Sequence, residues 1–334
     1  MINKIDFLIT WVDGDDPEWQ KERNHYAELE HREIDNSNAR FRDWGTLKYW
    51  FRGVEKFAPW VNKIFFVTRG HVPEWLDTTN PKLQIVKHSD FIPVEYLPTF
   101  SSNVIEFYFH RIEGLSERFV FFNDDMFLIG KVEPCRFFRK GLPCDLGALV
   151  ENNLGGMFGC SVYMAQGLLN THFDKRVSVR QHFTKWINLA YPFYSLRNLL
   201  YLRIRKPSFN GFEDHHLPQG YLKRTYDEVW SRCGEDLKRT SKSRFRQYGD
   251  IAPWLIRYWQ LASGNFTPFN VYKDGKAFYL SDENISECVD CILHQKKKLI
   301  CLNDGDHVTH FEDYKEKLIN AFENILPDRC SFES

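Results

Sequence analysis

Residues 118–125 have the sequence RFVFFNDD, a short apolar run that ends directly in two aspartates. Aromatic and β-branched residues fill the run, and polar residues bound it, as expected of a buried β-strand. Residues 4–12, KIDFLITWV, repeat this arrangement, because they too are apolar and lead into acids at Asp13 and Asp15. We therefore predict two buried strands with carboxylates at their carboxyl ends.

Strands and helices alternate around these two runs. Apolar stretches at 63–68 and 83–86 predict two more strands. Apolar residues recur at helical spacing over 44–57, before Pro59, and residues 103–115 show a similar pattern. The alternation predicts an α/β fold with a parallel or mostly parallel sheet flanked by helices. In such sheets, ligands bind beyond the carboxyl ends of the strands.

The pattern changes at about residue 146. Residues 180–206 and 220–262 are long, polar and mostly helical in character, and an apolar strand, LICLN, returns at 299–303. These changes predict three regions: an α/β region (residues 1–145), a mostly helical insertion (residues 146–290), and a C-terminal strand and helix that return to the α/β core (residues 291–334).

Composition and charge restrict the class of protein. The chain has 334 residues, of which 43% are hydrophobic, and a formal net charge of −1, so we expect a folded domain without the basic surface of a nucleic-acid binder. The N-terminus, MINKIDFLITWVDGDD, has no cleavable signal pattern, and no apolar stretch is long enough to span a bilayer. We therefore expect a cytoplasmic protein.

The eight cysteines are expected to be free thiols in a reducing compartment. Cys288 and Cys291 form one C-x-x-C pair, with His294 and Cys301 nearby, so a zinc site is one interpretation. The sequence lacks the second pair that would make such a site specific. We favour the other interpretation, in which these thiols pack on a helix face.

The segment 196–206 interleaves arginine and lysine with leucine, tyrosine and isoleucine. One interpretation is an amphipathic segment that makes peripheral contact with an anionic membrane surface. The other is a basic surface helix packed on the sheet domain, which we favour because solvated charged faces are common.

Strand-end acids are the first candidates for chemistry. Asp124 and Asp125 offer the hard oxygen ligands that suit Mg²⁺ or Mn²⁺, which could bridge a diphosphate. Asp304 and Asp306 follow the strand at 299–303, and Asp304 could face the same cavity. In both places the alternative is an ordinary polar turn or a helix cap, where aspartate is favoured anyway.

Two further residues could act on a substrate. His216 precedes a turn at Pro218 and could serve as a general base near neutral pH, although a lone histidine is more often structural. Arg246 could clamp phosphate oxygens through bidentate hydrogen bonds. The alternative role of Arg246 is a surface salt bridge to Asp250 or Glu235.

Taken together, these residues resemble the Stealth family, which includes capsular-polysaccharide sugar-1-phosphate transferases and the catalytic subunit of the lysosomal-enzyme N-acetylglucosamine-1-phosphotransferase. Four ordered blocks over nearly the whole chain carry the resemblance. They are IDFLITWVDGDDPEW (5–19), a long block from RFRDWGTLKYWF to FVFFNDDMFL (40–128), HLP (216–218) with TSKSRFRQYGDI (240–251), and LICLNDGDH (299–307).

The resemblance implies a nucleotide-sugar-transferase-like (GT-A-like) fold and a phosphotransferase activity. A hexose-1-phosphate, commonly N-acetylhexosamine-1-phosphate, would pass from a UDP-sugar to a hydroxyl of a capsular polysaccharide, forming a phosphodiester and releasing UMP. Residues 1–145 would bind the nucleotide sugar, and residues 146–290 would bind the acceptor. That acceptor could be lipid-linked, which would place the enzyme at the inner face of the cell membrane.

The implied site residues fall into three groups. Catalytic roles fall on Glu106, Asp125, His216 and Arg246. Substrate binding is expected at Asp13, Gly14, Asp15, Arg42, Asp43 and Asn103. Metal ligation is expected at Asp124, Asp125 and Asp304.

Two other functions compete with this one. A conventional GT-A-type glycosyltransferase would attack the anomeric carbon and release UDP. A non-catalytic polysaccharide-binding protein would use its aromatic surface and release no nucleotide.

Overall fold

The apolar runs near the N-terminus form the central strands of a five-stranded sheet in the computed structural model, which describes residues 4–31, 42–152, 155–203, 206–304 and 308–334. The strands in these residues are β1 (Asp6–Thr10), β2 (Ile64–Thr68), β3 (Leu83–Lys87), β4 (Arg118–Phe122), β5 (Met126–Leu128), β6 (Phe138–Arg139), β7 (Leu142–Asp145), β8 (Gln219–Leu222), β9 (Thr267–Pro268), β10 (Gly275–Tyr279) and β11 (Leu299–Asn303). The α-helices are α1 (Pro17–Leu29), α2 (Leu47–Phe57), α3 (His88–Phe91), α4 (Ser102–Phe107), α5 (Gly156–His172), α6 (Lys175–Gln181), α7 (Phe183–Trp186), α8 (Pro192–Arg203), α9 (Lys223–Ser241), α10 (Trp254–Ala262), α11 (Ile285–Leu293) and α12 (Phe311–Ile325).

The main sheet has the strand order β3-β2-β1-β4-β8. Strands β3, β2, β1 and β4 run parallel, and β8 is antiparallel to β4. The register pairs Ile9 of β1 with Phe122 of β4, so both strands end at the same edge. The α/β class with a mostly parallel sheet, expected from the alternation of apolar runs, is therefore confirmed.

Both faces of this sheet are buried, which explains the nearly continuous apolar character of its central strands. Alternate residues of β1 point to opposite faces. Phe7 and Ile9 join a core that includes α2, α11 and α12, whereas Leu8 joins a second core that includes α5, α9 and α10.

A second sheet, β10-β11-β5, brings the C-terminal strand back beside the end of β4. Strand β5 follows directly after Asp125, and β11 pairs with it in an antiparallel arrangement that sets Cys301 opposite Met126. The backbone N–H of Leu302 donates to the carbonyl oxygen of Asp125 at 2.8 Å. The end of β11 therefore lies next to the acids that follow β4.

The four strands predicted from apolar runs correspond to β1–β4, and the predicted strand at 299–303 is β11. Strand β8 was not predicted, and residues 220–222, at the start of the segment 220–262 that the pattern predicts to be mostly helical, belong to this strand. Its four residues, QGYL, carry no alternation, and they form a strand because they pair with β4. The region boundaries at 145 and 290 stay predictions.

Two of the sequence predictions concern residues that the structure does not describe, or describes only in part. Residues 204–205 of the basic segment, and Asp306, lie outside the described residues. Within the described ranges, no helix combines the length and the apolar character that crossing a bilayer requires.

All eight cysteines are free thiols. Cys288 and Cys291 lie on α11 with their side chains buried in the first core, whereas the side chain of His294 is 66% exposed and pairs with Asp290. This separation agrees with thiols packed on a helix face, the interpretation favoured from the sequence.

Candidate active site

A cavity of about 290 Å³ opens where β1, β4 and β11 end. Five carboxylates and one guanidinium group line it, so its walls carry an excess of negative charge that suits a cation. Of the residues predicted from the sequence, the cavity is lined by Asp13, Gly14, Arg42, Asp43, Asp124, Asp125 and Asp304.

The turn after β1 is fixed by a histidine. The backbone N–H of Asp13 donates to Nε2 of His71 at 2.8 Å, and Nδ1 of His71 lies 3.3 Å from a carboxylate oxygen of Asp16. Since Nε2 accepts, the ring proton of neutral His71 is on Nδ1, facing Asp16. Asp15 is exposed and does not line the cavity. His71 was missed as a site residue, although it lies inside the long family block.

Arg42 and Asp304 form a bidentate pair across the cavity wall. Nε and Nη2 of Arg42 each lie 2.6 Å from one carboxylate oxygen of Asp304, and Nε1 of Trp44 donates to the same carboxylate at 3.0 Å. The guanidinium also lies 4.5 Å from the ring centroid of Phe311. Both oxygens of Asp304 are therefore engaged by Arg42, and its role as a metal ligand stays a prediction.

Asp124 has two other carboxylates near it, those of Asp125 and Asp43. Desolvation by the surrounding protein, followed by the charges of Asp125 and Asp43, raises the pKa of Asp124 to about 7, although its side chain still contacts solvent in the cavity. Repulsion of this kind is relieved when a cation binds.

Asp125 has one oxygen that the protein does not satisfy. Its Oδ2 lies 3.3 Å from both Sγ of Cys301 and Nδ2 of Asn303, but its Oδ1 is buried without a hydrogen-bond partner among the described residues. A buried carboxylate oxygen without a partner is costly unless a cation or a bound group compensates it. Asp125 therefore fits the metal that the sequence predicts at this edge.

His216 comes to Asp125 through the pairing of β8 with β4. Because β8 is antiparallel to β4, the residues before β8 lie beside the residues after β4. A ring nitrogen of His216, a carboxylate oxygen of Asp125 and the Sγ of Cys301 all lie within 4.8 Å of one another. The two residues predicted to be catalytic from separate motifs therefore meet in one place.

Cys301 lies beside Asp125, a position that was not predicted from the sequence. It is fully buried, and this burial, together with the charge of Asp125, raises the pKa of its thiol well above the usual value. The thiol therefore stays protonated and can donate to Asp125. A cysteine inside an apolar strand looks like an ordinary core residue, so its closeness to the strand-end acids was the only available signal.

A buried ion pair holds the segment that carries His216. Nε and Nη2 of Arg257 contact the two carboxylate oxygens of Asp145 at 2.9 and 3.0 Å, and both side chains are fully buried. Nη1 of Arg257 donates to Asp214 at 2.8 Å, and the hydroxyl of Tyr258 donates to the same carboxylate at 2.6 Å. Burial acts to raise the pKa of Asp145, but the charge of Arg257 outweighs it and holds that pKa well below the usual range.

The two adjacent histidines have different environments. His215 is buried, its Nδ1 accepts from the backbone N–H of Leu217 at 3.2 Å, and its Nε2 lies 2.9 Å from Oε1 of Gln219. Burial and then the charge of Arg257 lower the pKa of His215, so its ring is neutral. His216 is only partly buried and has a left-handed backbone with φ of 46°. His215 therefore anchors the segment, and His216 is available to a substrate.

Glu106, Arg246 and Asn103 belong to a second cluster around α4. Nη2 of Arg246 donates to the hydroxyl of Ser102, and Asn103 is buried in the same helical turn. Burial raises the pKa of Glu106 to about 8, and the charge of Arg246 opposes this rise. The acidic cavity is not lined by Glu106, Asn103 or Arg246, so their part in the site stays a prediction.

The loop that carries Arg246 is fixed against the segment before α4. The backbone N–H of Phe100 donates to the carbonyl oxygen of Arg244 at 2.7 Å, and the rings of Phe100 and Phe245 stack with centroids 5.1 Å apart. Asp250 accepts from the hydroxyl of Ser243 at 2.8 Å. These contacts orient Arg246 toward Ser102 on α4.

Comparison with known proteins shows extensive similarity. Residues 3–28 match the family model described as Stealth protein CR1, conserved region 1, and residues 40–144 match that described as Stealth protein CR2, conserved region 2. The chain is 40% identical over 344 residues to the capsular polysaccharide phosphotransferase WcwK of Streptococcus pneumoniae, covering 99% of this chain and 98% of that protein. It is 40% identical over 339 residues to the receptor polysaccharide phosphotransferase WefC of Streptococcus gordonii, covering 100% of both.

Among solved structures, the chain is similar to the WbbM bifunctional glycosyltransferase, with 10% identity and a TM-score of 0.41 over 97% of this chain and 52% of that chain. A similarity at this level supports no inference about function.

The Asp145–Arg257 pair predicts a large stability effect. Arg257→Met leaves a buried carboxylate uncompensated, so we expect urea denaturation to show a loss of about 3–5 kcal/mol in the free energy of unfolding. Arg224→Met is the matched control, because Arg224 pairs with Glu117 at the surface and should contribute less than about 1 kcal/mol. The double variant Asp145→Leu/Arg257→Met should lose less than the sum of its single variants. Equal small losses in Arg257→Met and Arg224→Met would contradict the structural role of the pair.

Glu106 predicts a pH-dependent stability. Its pKa in the folded protein is raised to about 8, so its contribution to stability is present at acidic pH and is lost as the pH rises from about 4 through 8. The stability of Glu106→Gln relative to the wild type should therefore increase over this range, as measured by denaturation at several pH values without metal. Glu113→Gln, at an exposed position, is the control and should follow the wild type. Parallel pH profiles for wild type and Glu106→Gln would show that Glu106 is not desolvated.

Proposed function

The chain belongs to the Stealth family of polysaccharide phosphotransferases, and we propose that it transfers a hexose-1-phosphate from a UDP-sugar to a sugar hydroxyl of a capsular or extracellular polysaccharide. The observation that carries the proposal is the meeting of His216 with Asp125 at the edge of an acidic cavity. A base beside a metal-binding carboxylate is what an attack by a hydroxyl on a diphosphate requires. N-acetylhexosamine-1-phosphate is the group we expect to be transferred.

The donor diphosphate would lie over Asp124 and Asp125. These residues would hold Mg²⁺ or Mn²⁺, since they supply hard oxygen ligands and one oxygen of Asp125 is buried without a partner among the described residues. When bound, the metal neutralises the diphosphate and stabilises the charge that develops on the departing phosphate. Two crowded carboxylates without a counter-charge would otherwise repel the donor.

The nucleotide side of the donor would lie along the opposite wall. The Asp13–Gly14 turn, held by His71, and the Arg42–Asp43 segment line this wall and would flank the uridine. Arg42 is fixed by Asp304, so its guanidinium is oriented before the donor binds. This orientation lowers the entropy cost of binding the nucleotide.

The acceptor would enter beside His216. His216 takes the proton from the acceptor hydroxyl as its oxygen attacks the phosphorus nearer the sugar. The new bond joins the acceptor oxygen to this phosphorus. The bond between this phosphorus and the oxygen that links the two phosphorus atoms breaks, and UMP leaves with that oxygen and the electron pair. Arg246 neutralises the transferring phosphate, and Glu106 and Asn103 orient the acceptor. Phosphoryl transfer depends mainly on positioning and charge stabilisation, which this arrangement supplies.

The acceptor and location follow from the same proposal. WcwK is a capsular and WefC a receptor polysaccharide phosphotransferase, which supports a polysaccharide or oligosaccharide acceptor for this chain. We propose that this acceptor is carried on lipid and that the enzyme acts at the inner face of the cell membrane.

The test is the identity of the released nucleotide. The purified protein is incubated with a panel of UDP-N-acetylhexosamines and UDP-hexoses, Mg²⁺ and short oligosaccharides, and the nucleotides are separated by chromatography. We expect UMP, with release lost in EDTA and restored by Mg²⁺. His216→Ala should lower kcat by about 10²–10⁴-fold, since a general base contributes that much, and Asp125→Asn should be at least as severe.

Matched controls separate chemistry from folding. His294→Ala and Asp328→Asn change the same residue types at exposed positions and should keep the wild-type rate. Release of UDP would make the protein a glycosyltransferase and overturn the proposal. A folded His216→Ala variant with a normal rate would remove the assignment of the base, and donor binding without any nucleotide release would favour a binding protein.

A further inference from the structure

Helix α8 is packed with its polar side inward. Asn198 is fully buried, where its side chain accepts from the backbone N–H of Leu149 and donates to the carbonyl oxygens of Gly147 and Trp186, each at 2.7 Å. Ser195 is buried on the same face and bonds the backbone of Asn188. These hydrogen bonds, together with the packing of Tyr201 and Leu202 on the second core, hold the helix in place.

The outward face of α8 is apolar. Phe193 is 70% exposed, Leu196 62% and Leu200 56%, and their spacing of three and four residues puts them on one face of the helix. Leu199 is 42% exposed, and Leu189, just before the helix, is 94% exposed. An amphipathic helix of a globular protein normally has the opposite arrangement.

Further exposed apolar side chains lie on other helices of the insertion. Among the described residues, eleven of the sixteen exposed large hydrophobic side chains lie between residues 157 and 200. Those outside α8 and Leu189 are Met157, Phe158, Tyr163, Met164, Val177 and Phe183. Single exposed apolar residues are common, but a concentration of this size marks an interaction surface.

The same segment is strongly basic. Residues 155–203 contain six lysine or arginine residues and one acid, which is a net charge of +5 in a chain whose formal net charge is −1. Arg180, Arg203 and Lys206 are exposed. The exposed apolar side chains and the excess of positive charge therefore occur in one segment of the chain.

We propose that the exposed apolar side chains of residues 157–200, with the basic residues Arg180, Arg203 and Lys206, form a surface that docks on an anionic lipid bilayer. Leucine and phenylalanine enter the boundary between headgroups and acyl chains, and arginine and lysine bind the anionic headgroups. A second copy of this chain is a poorer occupant, because it would bring two segments of charge +5 together. A polysaccharide offers hydroxyl groups, which leucine side chains cannot bind.

This surface is connected to the active site through short contacts. Arg197 of α8 pairs with Glu213 at 2.6 Å, and Glu213 precedes Asp214 in the segment that leads to His216. Asn198 holds the backbone at Gly147 and Leu149, just after Asp145. Docking would therefore bring the acceptor side of the site close to the membrane. The link between docking and a lipid-linked acceptor rests on the proposed function. Binding to vesicles does not, because it needs neither donor nor acceptor.

The experiment measures binding of the full-length protein to vesicles by flotation. We expect binding to vesicles that contain phosphatidylglycerol, weaker binding to vesicles of phosphatidylcholine alone, and a loss of binding at high salt. Leu196→Gln/Leu200→Gln should weaken binding at least about tenfold, because each leucine side chain loses its burial in lipid. Arg180→Gln/Arg203→Gln should weaken binding to the anionic vesicles selectively.

The controls are exposed apolar residues on another part of the molecule. Leu29→Gln/Val94→Gln changes side chains that are 61% and 82% exposed, and it should bind vesicles like the wild type. All variants should keep the rate of UMP release with an oligosaccharide acceptor in solution. Absence of binding to anionic vesicles, equal binding by the leucine variant, or a wild-type dimer that the leucine substitutions dissociate would each overturn the proposal. Vesicle binding without any UMP release would instead contradict the proposed function and leave this inference standing.

Discussion

The buried pair of Asp145 and Arg257 is the constraint on which the catalytic geometry depends. It joins β7 to α10 across 112 positions of the chain, and Arg257 extends it to Asp214, two residues before His216. Removing two charges from water has a large cost, so a pair of this kind contributes more to a defined geometry than to net stability. Here the geometry it defines is that of the segment which places His216 beside Asp125.

The site itself is arranged around negative charge that the protein leaves uncompensated. Asp124 and Asp125 crowd together after β4, and one oxygen of Asp125 has no partner among the described side chains and backbone. Arg42 compensates Asp304 on the other wall. Uncompensated carboxylates of this kind favour the binding of a cation, as the proposed reaction requires.

The central strands and the acids at their ends were predictable from the sequence, because each of them has a local sequence pattern. Strands β1–β4 are continuous apolar runs, and Asp125 follows one of them directly. The proximity of Asp125 to His216 was not predictable from the residues, since it depends on β8, whose four residues carry no strand pattern and form a strand by pairing with β4. Cys301 and the Asp145–Arg257 pair were missed because core cysteines and distant ion pairs have no local signature. The family resemblance supplied the site residues, and the fold shows how several of them meet.

The most direct test of the central claim is the fate of the oxygen between the anomeric carbon and phosphorus. A UDP-sugar labelled with oxygen-18 at this bridging position is converted with an oligosaccharide acceptor, and the products are analysed by mass spectrometry. Phosphoryl transfer leaves the anomeric carbon–oxygen bond intact, so the label should remain in the phosphodiester product and be absent from the released UMP. Label recovered in released UDP would show that the anomeric bond had broken and would contradict the account.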